Sequence, residues 1–289
     1  MFALIKRNLI LYFRNHSGVV FSLMGAMISF ILYLIFLKNS IQANWKDIQG
    51  GTLLLDQWLI GGTLVITGIT TTLAGLTQVV SDRESDVYKD LLQTDIGNVR
   101  LTFSYLASAS LIGLLMQGTM FTIMSAYFSV KDGLSLSSEQ IASVLLLMVL
   151  NAILSTAINA IIINFVKRMS SLTSLSAIVG TGAGFLVGGL IPVGSLPDFA
   201  QTLIKITPGS YVAALNRQIL MQEQLATTFG TNTVMRVKFE KFLGARIAWD
   251  ELLTQRETLN IVIIIMSMTV LLALVPQLLA SRKRKKLIA

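Results

Sequence analysis

Apolar residues along this 289-residue chain gather into long runs and do not alternate with polar ones. Six runs reach about 18 residues or more, the length at which a helix can cross a hydrocarbon core of roughly 30 Å. They predict spans over about Val19–Leu37, Gln57–Val80, Leu101–Val130, Ile141–Val166, Leu172–Ile191 and Asn260–Leu279. In lipid a helix satisfies its own backbone, and the absence of strand alternation argues against a barrel. The fold class is therefore an all-α polytopic membrane protein.

The segments between the spans differ in kind. In "MFALIKRNLILYFRN", Lys6, Arg7 and Arg14 fall on one sector, which predicts an interfacial helix over residues 1–16. Arg14 interrupts the apolar stretch and no small-residue cleavage site follows, so the N-terminus is expected to be retained. A short loop carries Lys38, Trp45, Lys46 and Asp47, and Trp58 is expected to anchor the second span at an interface. The longest non-spanning stretch, residues 192–259, is broken by Pro192, Pro197 and Pro208. It predicts short helices over Asp198–Ile206 and Gly209–Gln222 at or dipping into the membrane, then an exposed, helical piece over Glu223–Glu257.

Composition narrows the class. Hydrophobic residues make up 53% of the chain and charged residues 13%; mean hydropathy is +0.70. The formal net charge of +8 comes from bases beside the spans, so it reads as topology and headgroup contact and not as nucleic-acid binding. Lys6, Arg7, Arg14, Arg83, Lys89, Arg100, Lys167, Arg168 and the run Arg282–Lys286 fall on one side; Lys38, Lys46 and Lys131 fall on the other. By the positive-inside rule both termini are cytoplasmic and the long loop faces outward. There is no Cys and only one His, His16, which removes disulfides, thiolate metal sites and multi-His metal sites.

No catalytic residue or metal site is nominated. The chain has no Walker A sequence, no HExxH and no G-x-S-x-G. No ionisable residue is expected deep in a span; Asp56 sits at a span edge. Three intramembrane patterns stand out. Ser176, Gly180, Gly184 and Gly188 recur every four residues, as a packing or dimer face or a substrate groove. Asn151, Ser155 and Asn159 share one helical face, for interhelical hydrogen bonds or a polar stripe along a substrate pathway. Gly61, Gly68 and Gly75 repeat every seven residues and favour close packing.

"SDRESDVYKDLLQTD", residues 81–95, concentrates charge between two uncharged runs. A helix from Ser81 to Thr94 would put Val87 and Leu91 one turn apart among Arg83, Glu84, Asp86, Lys89 and Asp90. It is either a solvated loop with local charge pairs or a docking helix for a partner that supplies force.

These residues resemble the permease subunits of ABC-2 type (type 2 ABC exporter) transporters. That family's link after the second span reads approximately R-E-x-G-x-x-x-x-L-x-x-T-P; here Arg83, Glu84, Leu91 and Thr94 are in register, with Asp86 in place of Gly and Asp95 in place of Pro. Before the last span, Gly188, Pro192, Leu196, Pro197, Pro208, Tyr211 and Arg217 match the pattern G-x-x-x-P, L-P, P-x-x-Y and Arg. The resemblance implies a single transmembrane domain over residues 1–289, with residues 81–95 as a cytoplasmic coupling helix docking on a separate ABC ATPase subunit. Pro192, Pro197, Pro208, Tyr211 and Arg217 would belong to an outer gate of re-entrant helices. No cofactor is expected in this chain; ATP and Mg would be bound by the partner. A second permease copy, or a related permease, would complete the pathway in a bacterial cell membrane. A pathway lining that is apolar with sparse amides suits amphipathic or hydrophobic cargo such as drugs, antimicrobial peptides or lipids. The other readings are an ATP-independent carrier or channel, and a polytopic lipid-modifying enzyme.

Overall fold

The computed structural model describes residues 1–43, 50–94 and 96–288, and side chains outside 42–43 and 274–288. Trp45, Lys46, Asp47, Asp95 and the side chains of Arg282–Lys286 lie outside the described residues.

The chain opens with α1 (Phe2–Arg14). Asn15 breaks it and caps the next helix, its Oδ1 accepting from Gly18 N at 3.0 Å. That helix, α2 (His16–Leu32), continues through a π turn (Tyr33–Leu37) into α3 (Lys38–Ala43). There follow α4 (Gly51–Glu84), α5 (Val87–Gln93), α6 (Gly97–Asp132), α7 (Ser138–Ile163) and α8 (Met169–Leu186). After a 3₁₀ turn at Val193–Ser195 come α9 (Asp198–Ile206), α10 (Pro208–Phe229), α11 (Thr233–Leu243) and α12 (Gln255–Ile288). No strand occurs among the described residues, only one isolated bridge between Ala248 and Leu252.

Local chemistry sets the boundaries. α6 ends on Gly133, whose φ of +73° suits a residue without a Cβ. Ser137 and Gln140 then form a reciprocal capping box that starts α7. Pro208 occupies the first turn of α10, where its missing N–H costs nothing.

Six helices are long and apolar enough to cross a membrane, by length and composition, as the sequence pattern implies. The central one is α4: 89% of its apolar window is buried, against 17% for α8. At about 1.5 Å per residue α4 is about 50 Å long, so both ends clear a hydrocarbon core of about 30 Å. α2, α6, α7, α8 and α10 all pack on it. Gly61, Gly68 and Gly75 make that possible. A Cβ on Gly61 would lie 3.1 Å from Arg217 N, one on Gly75 3.1 Å from Ala109 Cα, and one on Gly68 would collide with the Asn151 amide. Among lipid-embedded helices, where apolar burial gives little drive, such close approach supplies the packing energy.

Three expectations need correction. α8 stops at Leu186 instead of Ile191, because Gly188 turns the chain at φ +65° and Pro192 follows. α10 runs to Phe229, past Gln222, since no breaker intervenes before Gly230. The Glu223–Glu257 piece is not simply exposed: Phe239, Leu243, Ala245 and Ile247 are buried in it, and α11 covers only Thr233–Leu243.

Candidate functional site

At the C-terminal end of α4, Ser85 caps the helix and Asp86 turns the chain with φ +62° and ψ −4°. Most side chains resist this left-handed conformation, and Asp tolerates it better than most. Asp86 is the one described non-glycine residue with positive φ, and it stands where the ABC-2 pattern has Gly. The backbone restarts at once: Lys89 N and Asp90 N donate to Asp86 O at 2.8 and 3.3 Å. The expectation of one helix from Ser81 to Thr94 is therefore corrected. Ser81–Glu84 finish α4, a two-residue break follows, and α5 stands as a separate helix closed by Thr94, whose hydroxyl donates to Leu91 O at 2.6 Å.

No residue of α5 is fully buried. Tyr88, Leu91 and Leu92 lean on an apolar cluster that includes Leu4, Val79, Leu101 and Tyr105. Val87 is half-buried; Asp86, Lys89, Asp90 and Thr94 are exposed. Asp86 and Lys89 pair at 2.7 Å, which raises the lysine pKa through the hydrogen bond and then the charge.

Beneath α5 the helices are tied by a polar cluster that sequence reasoning missed. Arg7 donates from both Nη1 and Nη2 to Asp82, at 2.8 and 2.9 Å. Tyr105 OH and Gln78 Nε2 also donate to Asp82, the latter at 2.7 Å. Four donors thus meet a buried carboxylate, which can accept about that many. Those bonds raise the Arg7 pKa above its ordinary value, against the opposing effect of burial. Asn8 adds a bond to Ser108 Oγ at 3.1 Å. The Arg83 guanidinium lies 5.5 Å from the Tyr88 ring centroid, and Tyr88 stacks on Tyr105 at 6.3 Å and donates to Asn98 Oδ1 at 2.9 Å. Glu84 Oε2 accepts from Met169 N at 2.9 Å, placing a carboxylate at the positive end of α8. Arg83 and Glu84 therefore bind within the chain, and one short region joins α1, α4, α5, α6 and α8.

The midline amides are placed as ties between helices. Asn151 Nδ2 donates to Gln117 Oε1 at 2.8 Å, Ser155 Oγ to Asn151 Oδ1 at 3.2 Å, and Asn159 Nδ2 to Ile69 O and Thr72 Oγ1 at 2.9 Å each. All three are buried against α4 and α6, so the open-pathway placement is not what this structure shows. The only sequence signal for Gln117 was an amide in an uncharged run, a group that needs a partner when buried. Of the glycine stripe, Gly180 brings its carbonyl to Gly25 of α2, Gly184 faces Leu190 and Ser29, and Gly188 lies beyond the helix. Gly180 meets α2 through its carbonyl while a Cβ on it would enter open space, Gly184 is buried, and Gly188 lies beyond the helix, so the three do not share one exposed face.

At the opposite end of α4, Asp56 is buried and accepts from Tyr33 OH at 2.7 Å and pairs with Lys38 at 3.0 Å, while Lys38 also reaches Asp132 at 2.7 Å. Nearby, Arg217 is buried with no carboxylate on it among the described residues. It donates to Trp58 O, Gly244 O and Gly188 O at 3.2, 3.1 and 2.6 Å, and its guanidinium carbon lies 4.9 Å from the Trp58 ring centroid. Burial pushes its pKa down to about 9, which still leaves it charged at neutral pH. Pro192 precedes the 3₁₀ turn, Pro197 precedes α9, Pro208 starts α10, and the buried Tyr211 accepts from Trp249 Nε1 at 3.2 Å. The five residues expected at an outer gate thus lie on the broken chain between α8 and the body of α10, at the end away from α5.

Six apolar helices, five of them about the buried α4, with a short exposed helix set off at one end, define a multi-pass membrane protein. The chain belongs to the ABC-2 type transporter family, whose family model matches residues 1–221. It is the transmembrane component of such a system and not a nucleotide-binding domain. No curated protein matches the chain.

Proposed function

We propose that the protein is the permease subunit of an ATP-driven exporter, with α5 as the helix that docks on a separate ABC ATPase. The observation that carries this reading is the detached α5: its exposed face offers Asp86, Lys89, Asp90 and Thr94, while Tyr88, Arg83, Glu84 and Asp82 fasten its root to α1, α6 and α8. A push on such a helix moves several spans together. ATP and Mg are held by the partner, and nucleotide-driven closure of the ATPase pair shifts the permease between inward- and outward-facing states. A second permease copy, or a related permease, completes the pathway. Exposed apolar side chains of α2 and α8, including Phe21, Met24, Ile28, Ile178 and Phe185, fit that contact.

The base distribution supports a cytoplasmic α5 end. Lys167 and Arg168, which follow α7, and Lys6 on α1 share that end and are exposed. In a bacterial cell membrane this puts both termini inside and the Arg217 end outside. The cargo is amphipathic or hydrophobic, in keeping with spans that carry few free polar groups.

The test is co-expression with the ATPase encoded beside the chain and purification by a tag on the permease. Reversing the exposed charges, Lys89→Glu with Asp90→Lys, should release the ATPase and leave the permease's thermal midpoint unchanged. Retention of a fully stimulated ATPase by that variant would sink the docking role.

A further inference from the structure

Between the end of α8, the α9–α10 elbow and the chain that follows α11 lies a hollow of about 40 Å³. A buried water needs about 10–15 Å³, so the space admits a few waters or one small oxyanion. Its wall is cationic: Lys205, Arg217, Lys241 and Arg246 line it, with Gln201 and Ser210. No carboxylate is among its lining residues.

The nearby charges do not cancel this wall. Glu240 is buried and already holds Arg236 at 2.9 Å and Arg246 at 3.4 Å. Arg246 spends further donors on Leu252 O and Leu253 O, both at 2.8 Å. Lys205 rests 5.5 Å from the Trp249 ring centroid and has no acid on it among the described residues. Lys241 makes no ion pair among the described residues. Arg217 has five N–H donors, and its three bonds to carbonyls leave donors over while no carboxylate pairs with it among the described residues. Burying an unpaired charge is expensive, and carbonyl dipoles offset only part of that cost. Ser210 brings the first turn of the 22-residue α10 to the same wall, which adds the partial positive charge of a helix start.

We propose that this hollow is an anion site that takes a phosphate-type oxyanion, either as free phosphate or as the headgroup of an anionic phospholipid. Guanidinium and ammonium donors on several sides match the acceptors of such a group. The bound anion would supply the counter-charge that Arg217 lacks, and would join α9, α10 and the α11–α12 connection. The inference rests on the chemistry of the wall and not on the exporter reading.

The experiment uses the full-length chain in discs of phosphatidylcholine, followed by thermal unfolding. Inorganic phosphate is titrated at constant ionic strength against chloride. A saturable rise in the midpoint is expected with phosphate and not with chloride. Lys205 and Lys241 are not buried, so Lys205→Gln with Lys241→Gln should fold, and should weaken the phosphate response by about tenfold or more. Lys205→Arg with Lys241→Arg should keep it. A second arm places phosphatidylglycerol in the disc. If the lipid headgroup is the ligand, the midpoint rises without phosphate, added phosphate does little more, and the Gln pair abolishes the rise. The proposal is overturned if neither phosphate nor phosphatidylglycerol moves the midpoint beyond the chloride control, or if the Gln pair responds as the wild type does.

Discussion

Arg7 and Asp82, 75 residues apart in sequence, meet through two near-parallel hydrogen bonds of 2.8 and 2.9 Å. The pair fastens the N-terminal helix to the end of α4 at the root of α5. The arginine side chain is about a third exposed and the aspartate is nearly enclosed, so the energetic weight sits on the carboxylate. Removing Arg7 leaves Asp82 with Tyr105 and Gln78 alone. Arg7→Ala should lower stability by about 1.5–3 kcal/mol, the range for a hydrogen bond to a charged group. It should also reduce coupling between cargo and ATPase activity, measured as the ratio of cargo-stimulated to basal hydrolysis in the complex. An unchanged thermal midpoint and ratio would remove the tie from the mechanism.

Asp86 occupies a left-handed conformation that glycine accepts without strain. Asp86→Gly should therefore be neutral to stabilising, even though it removes a solvent-exposed pair with Lys89. Asp86→Val should cost about 1–2 kcal/mol and misplace α5. Chemical unfolding and ATPase retention of the two variants, compared side by side, test this. Equal behaviour would show that the turn does not set the position of α5.

The charge group at the end of α4 away from α5 makes an ordering prediction. Among the described residues Lys38 is the cation paired with both Asp56 and Asp132. Lys38→Met leaves a fully buried carboxylate beside a second acid and should be destabilising by about 3–5 kcal/mol. Asp132→Asn leaves Lys38 with Asp56 and should cost far less. Thermal midpoints of the two variants decide it, and a reversed order would mean the group is not held by Lys38.

Gln117 and Asn151 join α6 to α7 by a single side-chain bond of 2.8 Å. A double-mutant cycle with Gln117→Leu and Asn151→Leu should give a coupling of about 0.6 kcal/mol, and no more than about 1.7, the range found for interhelical hydrogen bonds in membranes. A coupling near zero would favour a pathway role for Asn151 over a packing role.

Arg217 donates to three backbone carbonyls to which no other side chain donates among the described residues. Arg217→Met should strand the carbonyls of Gly188 and Gly244 at about 1–3 kcal/mol each, Trp58 O keeping its bond within α4, and should lower the yield of folded protein. Arg217→Lys keeps the charge and not the fork, and should recover only part of the yield. Full recovery with Met, read by size-exclusion yield, would show that the arginine is dispensable to the fold.

The apolar runs by themselves determined the class, the number of spans and even the bounds of α9, because a run of that length has few options in lipid and each proline disfavours continuation of a helix. The local pattern also marked the seven-residue glycine spacing as a packing face, while it wrongly joined Ser81–Glu84, the last turn of α4, to α5. What the sequence did not decide was which polar groups find each other. Arg7 with Asp82, Lys38 with Asp56 and Asp132, and Arg217 with the carbonyls of Trp58, Gly188 and Gly244 join segments far apart along the chain, and no local spacing encodes such meetings. Tertiary packing made them. A buried polar group must be satisfied where the helices leave it, so its partner is chosen by the arrangement of the helices and not by its neighbours in the chain.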